Sequence, residues 1–312
     1  MKPKRVLVTG ASGFIGRPLV AALLRAGYAV RAVTRRQVSF PDAVETTIIP
    51  DLKNLIDWAP ILNGVAIVIH AAGLAHGRVA NDDYSEFDQI NWLGTQQLVQ
   101  PAKNAGVERF VYISSVRAQV GASSARPVNE QEEPHPTNYY GRSKLAAEQA
   151  IRTTGVPYTI FRPVVIYGPY PKGNMQTLVR LARSPLPLPV ASFTSRRSVL
   201  GIDNLISAIM FALNNPASSG ETYLLADPKP MTIGEILRTL REQRGAWLSN
   251  MHVPQAVIRV ALTLYGRNDL WSRLTGDLVV DTSKFEALGW HPVKSTLEGL
   301  IEMMRAGDLK AQ

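Results

Sequence analysis

The sequence predicts an α/β fold, a doubly wound parallel sheet followed by a smaller mixed α/β unit. Three observations carry that expectation. Up to about Gly168, short β-branched runs alternate with stripes of helical spacing. Several of those runs are apolar at consecutive positions, as in strands covered on both faces. After Gly168 the alternation stops, and prolines and glycines gather in GPYPKGN (168–174) and SPLPLP (184–189).

Strands are expected at 5–9, 28–33, 46–49, 65–70, 109–114 and 158–162. Between them Ile15, Leu19, Leu23 and Leu24 form an apolar stripe that stops before Gly27, a residue suited to the left-handed end of a helix. Phe87, Ile90, Leu93 and Leu98 form a second stripe, and Leu145, Ala146 and Ile151 a third. Strand–helix alternation of this kind closes through right-handed crossovers into a sheet with helices on both faces. The remainder shows helical patterns at 203–214, 233–244, 254–265 and 295–305 and one strand-like return at 222–225. The chain therefore divides into a cofactor domain over 1–168 and a substrate domain over 169–312, with the segment 198–226 returning to the first.

A chain of 312 residues can bury a substantial core. It has no cysteine, which excludes disulfides, thiolate metal sites and cysteine nucleophiles. The histidines (70, 76, 135, 252 and 291) are scattered without metal-ligand spacing, so no metal is expected. Lys and Arg number 34 against 25 Asp and Glu, a net charge of +9 that invites an anionic partner. No basic stripe with interleaved aromatics marks a nucleic-acid surface. No apolar run approaches the roughly 20 residues that cross a bilayer, and the N-terminus enters a strand at once with no apolar leader segment. The expectation is a cytoplasmic protein whose surplus charge meets small phosphorylated ligands.

The first strand runs into Thr9-Gly10-Ala11-Ser12-Gly13-Phe14-Ile15-Gly16 and then a helix, the strand–turn–helix of a Rossmann-type dinucleotide site. Gly10 can take the tight turn, Gly13 lets a pyrophosphate approach the backbone, and Gly16 lets the helix pack close to the strand. The helix N-terminus offers unpaired N–H groups and a positive dipole end to phosphate. A dehydrogenase selective for NAD places a carboxylate at the end of the second strand to hold the ribose hydroxyls. Here Thr34-Arg35-Arg36 stands instead, and two guanidiniums can grip a 2′-phosphate. NADP(H) is the favoured cofactor, with NAD(H) the other possibility, and Asp51 is expected at the adenine edge.

The fifth strand ends in Ser114-Ser115, at the sheet edge where such folds bind ligands. Tyr140 and Lys144 follow in YGRSK, one helical turn apart on one face. A phenol of pKa near 10 is a poor acid–base group at neutral pH. An ammonium about 5 Å away, at an effective dielectric of about 20, is worth about 3 kcal/mol, or roughly two pKa units. Tyr140 is thereby expected to exchange a proton with a carbonyl or alcohol oxygen, Ser115 to hydrogen-bond the same oxygen, and a nicotinamide to carry hydride. Either Ser114 or Ser115 could be the serine in that role.

These residues stand in order with others: TGASGFIG, Asp51-Leu52, His70-Ala71-Ala72-Gly73, Asn91-x-x-Gly94-Thr95, Ser114-Ser115, Tyr140-x-x-x-Lys144 and Arg162-Pro163…Tyr167-Gly168-Pro169. The sequence resembles the extended short-chain dehydrogenases/reductases of the NAD(P)-dependent nucleotide-sugar epimerase/dehydratase family, over essentially the whole chain to Leu288-Gly289-Trp290. The resemblance implies a Ser–Tyr–Lys triad of Ser115, Tyr140 and Lys144. It implies cofactor contacts from Gly10, Ser12, Gly13, Phe14, Ile15, Gly16, Asp51, Leu52, Ala71, Ala72, Gly73 and Pro163, with Lys144 also holding the nicotinamide ribose. It implies a C-terminal domain holding a nucleoside diphosphate sugar, and a homodimer paired through helices near 87–104 and 139–153.

A diphosphate needs cations, and Lys172-Gly173-Asn174 and Arg196-Arg197-Ser198 supply them. By its spacing to Asp203, Arg197 falls where family members clamp the pyrophosphate; Arg273 is a second candidate, one residue out of the common register. Ser114 and Asn174 complete the expected substrate contacts. The stretch 168–205 looks most like UDP-glucose 4-epimerase-like proteins and UDP-hexos-4-ulose reductases. Sugar dehydratases of the family place Thr-Asp-Glu after the fifth strand, where this chain has Ser115-Val116-Arg117, so dehydration is not expected. The strand-two arginines suit an exchanging NADPH and tilt the reading to 4-keto-sugar reduction over epimerisation with bound NAD. Reduction of a hydrophobic carbonyl and a non-catalytic NADP(H) sensor are the rival readings.

Overall fold

The computed structural model describes residues 3–75, 85–171, 173–184, 192–243 and 276–308, with isolated positions between 253 and 263. Seven parallel strands form the central sheet: β1 (Arg5–Thr9), β2 (Ala29–Thr34), β3 (Val44–Ile48), β4 (Ile67–His70), β5 (Arg109–Ile113), β6 (Tyr158–Pro163) and β10 (Glu221–Leu225). Their spatial order is β10-β6-β5-β4-β1-β2-β3. The order reverses between β1 and β4, and a doubly wound sheet opens its ligand crevice at the C-terminal ends of such a pair.

Consecutive apolar residues in each strand supply two cores. Val6, Val8, Ile67, Ile69 and Val111 pack on one face against Leu19 and Leu23 of α1 (Gly16–Arg25) and Leu205 and Ile209 of α5 (Ile202–Asn214). Leu7, Val68, Phe110 and Tyr112 pack on the other against Leu98 and Val99 of α2 (Gly94–Asn104) and Ala147 and Ile151 of α3 (Tyr139–Thr154). Each fully buried Leu contributes about 1.5–3 kcal/mol, so either face alone outweighs the modest helix propensity of its cover. β10 pairs with β6, and α5 joins the α1 core.

A third core gathers α4 (Gly173–Arg183), α6 (Ile233–Glu242) and α8 (Thr296–Asp308) through Met175, Val179, Ile236, Leu240, Leu300 and Met303. The short pairs β7 (Val165–Tyr167) with β9 (Val199–Gly201), and β8 (Arg196–Arg197) with β11 (Met231–Thr232), join it to the sheet. A single turn of helix, α7 (Ser283–Glu286), puts Phe285 against Phe161 and Trp290. Most of the helical stretch expected at 254–265 lies outside the described residues.

The helix leading into α2 passes through a π-helical segment, Asp88–Leu93, which carries Asn91. Such segments are frequent at functional sites.

Candidate active site

Gly10 turns the chain out of β1 at φ 66°, and a Cβ there would lie 2.8 Å from the Ala72 amide nitrogen. That absence of a side chain lets the β1 turn and the loop after β4 meet. A Cβ on Gly16 would collide with the Gly10 carbonyl, so α1 starts hard against the turn. α1 has no side-chain cap and no acidic residue in its first turn. Arg17 N–H donates to the Gly13 carbonyl (3.2 Å) and Pro18 has no N–H, so what α1 offers an anion is its positive dipole end, which suits the pyrophosphate of a nicotinamide dinucleotide. Ser12 is exposed, and Gly13, Phe14 and Ile15 are half-buried around this mouth.

At the end of β2 the two arginines part. Arg35 Nη1 bonds Asp51 Oδ2 at 2.5 Å. Arg36 is exposed, and no ion pair forms with it among the described residues. Burial works against charge on Asp51, but the Arg35 hydrogen bond, the Lys53 backbone N–H and both cations hold its carboxyl below the usual value. Arg35 and Asp51 meet because parallel register sets the ends of β2 and β3 side by side. Leu52 is buried in the core below.

The loop Ala71-Ala72-Gly73 crosses the C-terminal end of β4 and is tied down from both sides. Ala72 N–H donates to Thr9 Oγ1 (3.2 Å), while Asn91 accepts from Leu74 N–H (2.8 Å) and donates to the Leu74 carbonyl (3.0 Å). Asn91 Nδ2 also reaches Ser143 Oγ on α3 (3.1 Å), so one side chain holds the loop and the helix together. A Cβ on Gly73 would lie 2.8 Å from Asn91 Oδ1 and 3.2 Å from Lys144 Nζ, which puts the lysine immediately beneath this loop.

Asn138 caps α3 by accepting the Gly141 N–H (2.8 Å), and Gly155 ends it in left-handed backbone at φ 73°. Gly141 has no room for a Cβ, because the Arg117 carbonyl rests on it. The catalytic helix is thereby pressed against the turn that follows β5. Burial pushes the Tyr140 phenol above its usual pKa, and a hydrogen bond with Ser115 and the charge of Arg117 pull it partly back. The Lys144 ammonium donates to the Ile113 carbonyl (2.9 Å) and Tyr112 Oη (3.2 Å), and burial pushes it down to about 8 against the opposing charge of Glu148.

The two serines part as well. Ser115 is extended and caps the turn Val116–Ala118 by accepting the Arg117 N–H (3.2 Å), with its hydroxyl on the Tyr140 side. Ser114 points the other way and donates to the buried carboxylate of Glu148 (2.5 Å). The substrate contact assigned to Ser114 is corrected by that bond: its hydroxyl is committed within the core. Pro163 is buried at the end of β6.

On the substrate side, Arg197 donates to the carbonyls of Gly276 (2.7 Å) and Ala122 (2.6 Å), which brace its guanidinium. Arg196 pairs with Glu235 and the Pro230 carbonyl. Asn174 is exposed in the first turn of α4. Lys172 and Arg273 lie outside the described residues. Among the described residues no group of side chains could hold a metal, and no helix is long and apolar enough to cross a membrane.

The model of the NAD dependent epimerase/dehydratase family matches residues 6–226, from β1 to the end of the central sheet. The chain belongs to that family. A UDP-glucose 4-epimerase of Vibrio cholerae is 31% identical over 97% of this chain and 95% of the relative. A ceramide reductase of Caulobacter vibrioides is 30% identical over 86% of this chain and 79% of the relative. The solved UDP-glucuronic acid 4-epimerase of Bacillus cereus, in complex with NAD, superposes with a TM-score of 0.81 at 22% identity, over 99% of this chain and all of that one. In this epimerase/dehydratase-family chain Ser115 follows β5, Tyr140 and Lys144 sit on α3, and Lys144 lies under the loop after β4. Sequence reasoning missed Arg117, Tyr112 and Glu148 as residues acting on them. Arg117 had a signal, since it sits directly in the Ser115-Val116-Arg117 segment already compared with the dehydratases.

Proposed function

We propose that the protein transfers hydride at C4 of a nucleotide-activated hexose, UDP-linked, with Tyr140 as the acid–base group. The observation that carries this reading is the convergence of three elements: the Ser115–Arg117 turn is pressed on Gly141 beside Tyr140, and Lys144 Nζ lies under the Gly73 loop. The uncapped start of α1, the Ala71–Gly73 loop and Lys144 would hold a nicotinamide dinucleotide. When bound, that cofactor supplies or accepts the hydride.

The protein residues handle the proton. In the reductive direction Tyr140 gives its phenolic proton to the C4 oxygen as that oxygen gains charge. Ser115 donates a hydrogen bond to the same oxygen, and the charge of Arg117 stabilises the phenolate left behind. A phenol raised above its usual pKa is protonated at neutral pH, the form this direction needs. Two features favour NADPH and net reduction. Arg36 is open to a 2′-phosphate, and Arg35 is 67% exposed at its side chain. An exposed ion pair is worth about 0–1 kcal/mol, so a doubly charged phosphate can draw Arg35 from Asp51. Asn174 and Arg197 would face the diphosphate of the sugar nucleotide. The family's homodimer is supported by the exposed Trp92, Leu93 and Tyr139 along the helices near 87–104 and 139–153. A cytoplasmic location fits an exchanging cofactor.

Epimerisation at C4 with retained NAD is the second reading, favoured by the Vibrio cholerae relative. The purified protein separates them. Reduction predicts protein free of cofactor that oxidises NADPH when given a UDP-4-keto-hexose. Epimerisation predicts tightly held NAD and interconversion of UDP-hexose C4 epimers. Turnover of neither sugar nucleotide overturns the proposal.

A further inference from the structure

Tyr112 is the one side chain that both bonds the Lys144 ammonium and presents an aromatic face to it: Oη lies 3.2 Å from Nζ, and Nζ lies 4.6 Å from the ring centroid. Lys144 is 5% exposed and forms no ion pair among the described residues. Its charge is therefore carried by a carbonyl, a phenol oxygen and a π-face. An ammonium has three N–H donors. Two are used on Ile113 and Tyr112 within the protein, and the third is left for a ligand under the Gly73 loop.

The imidazole beneath the phenol ring is held in a directional chain. Thr95 Oγ1 donates to the Asn91 carbonyl at 2.5 Å, so its own proton is spent. It therefore accepts from His70 Nε2 (3.0 Å), while Thr9 donates to His70 Nδ1 (2.6 Å). Tyr112 Oη accepts from the Lys144 ammonium, so a lone pair of the phenol faces the lysine. The ring is fixed too: it stacks on His70 at 5.7 Å with 21° between the planes, its parallel neighbour on β4. Every member of the chain is buried.

We propose that Tyr112, held by its stack on His70, is a positioning residue that favours the charged form of Lys144 and aims its third N–H into the cofactor cleft. A phenol oxygen accepts a stronger hydrogen bond from an ammonium than from a neutral amine, and its ring face adds attraction for the cation alone. The groups facing Lys144 are Glu148 one turn on in α3, Tyr112 from β5 and neutral His70 from β4, with Tyr140 one turn back. Of these, Glu148 favours its charge from a distance, and burial opposes it. Tyr112 is in direct contact. The inference rests on the C4 hydride reading only for what the aimed N–H does in turnover; the state of Lys144 stands without it.

The test is a pH titration of the protein labelled with 13C at lysine Cε, comparing wild type and Tyr112→Phe. The Lys144 signal is identified by its loss in Lys144→Met. Tyr112→Phe keeps the ring, its stacking and its fit, and removes only the acceptor. The wild-type midpoint is expected at about 8. Tyr112→Phe should raise the acid dissociation constant roughly tenfold or more. The alkaline limb of turnover should move down with it. An unchanged midpoint in Tyr112→Phe, with or without a lower Tm, overturns the proposal, as does a rise. If no sugar nucleotide is turned over at all, the lysine titration still decides, and the failure then belongs to the functional reading.

Discussion

Replacing Glu148 should cost more stability than any other single polar change in the described core. Its carboxylate is fully buried and accepts four hydrogen bonds: Ser114 Oγ (2.5 Å), Arg162 Nε (2.9 Å) and Nη2 (2.6 Å), and Arg152 Nη2 (2.9 Å). Arg152 is one-third exposed at its side chain and can turn to water, but Arg162 is 4% exposed there and cannot. Glu148→Ala leaves the Arg162 guanidinium with Gln119 as its remaining side-chain partner. Breaking a buried pair in this way costs about 3–5 kcal/mol. At roughly 2 °C per kcal/mol in a chain this long, Tm falls by about 6–10 °C. Removing both charges should be milder: Glu148→Met with Arg162→Met should recover more than half of the loss, because no unpaired ion remains. The assay is thermal unfolding at neutral pH of wild type, both single variants and the double variant, read as a cycle with an expected coupling above about 2 kcal/mol. Additive single penalties, or a Glu148→Ala protein melting within about 2 °C of wild type, would refute the reasoning.

Four further outcomes are expected. Ser115→Ala should lower kcat by about 10²-fold or more, whereas Ser114→Ala should keep kcat within a few-fold and lose about 1–3 kcal/mol of stability, measured by steady-state kinetics and urea unfolding. Gly73→Ala places a methyl 2.8 Å from Asn91 Oδ1 and 3.2 Å from Lys144 Nζ, and should weaken cofactor binding at least tenfold in a fluorescence titration. Arg36→Ala should weaken NADPH by about tenfold or more and NADH by less than threefold; equal losses would remove the phosphate reading. Burial and the Lys144 ammonium push His70 down to about 3 from 6.5. The unfolded chain then binds the extra proton below pH 6.5, so stability falls by about 1.4 kcal/mol per unit from there towards pH 3. His70→Gln should flatten that dependence in denaturant unfolding followed across this range.

Much of this architecture was legible because it depends on local pattern. Consecutive apolar residues in Ile67–His70 and Arg109–Ile113 marked strands covered on both faces, and the Gly10, Gly13 and Gly16 spacing marked the turn into α1. Helical spacing put Tyr140 and Lys144 on one face. What stayed hidden depends on partners distant in the chain. Neighbouring residues at a strand end face opposite sides, so one of Ser114 and Ser115 had to turn inward. Which one was decided by Glu148, 34 residues later. Lys144 could be placed on a face but not on Tyr112, because that contact needs α3 docked against β5. The Arg35–Asp51 pair needs the register of β2 with β3, and the charge acting on Tyr140 comes from Arg117, in a turn packed on Gly141.

The central claim is that Tyr140 moves the proton that accompanies hydride transfer at C4 of a sugar nucleotide. A single-turnover experiment tests it most directly: wild type and Tyr140→Phe are each mixed with NADPH and a UDP-4-keto-hexose, with nicotinamide absorbance followed in time and the sugar product read by NMR. The account predicts oxidation of NADPH and a new C4 alcohol with wild type. It predicts neither with Tyr140→Phe, whose affinity for NADPH stays within a few-fold. Turnover by Tyr140→Phe at the wild-type rate would contradict it.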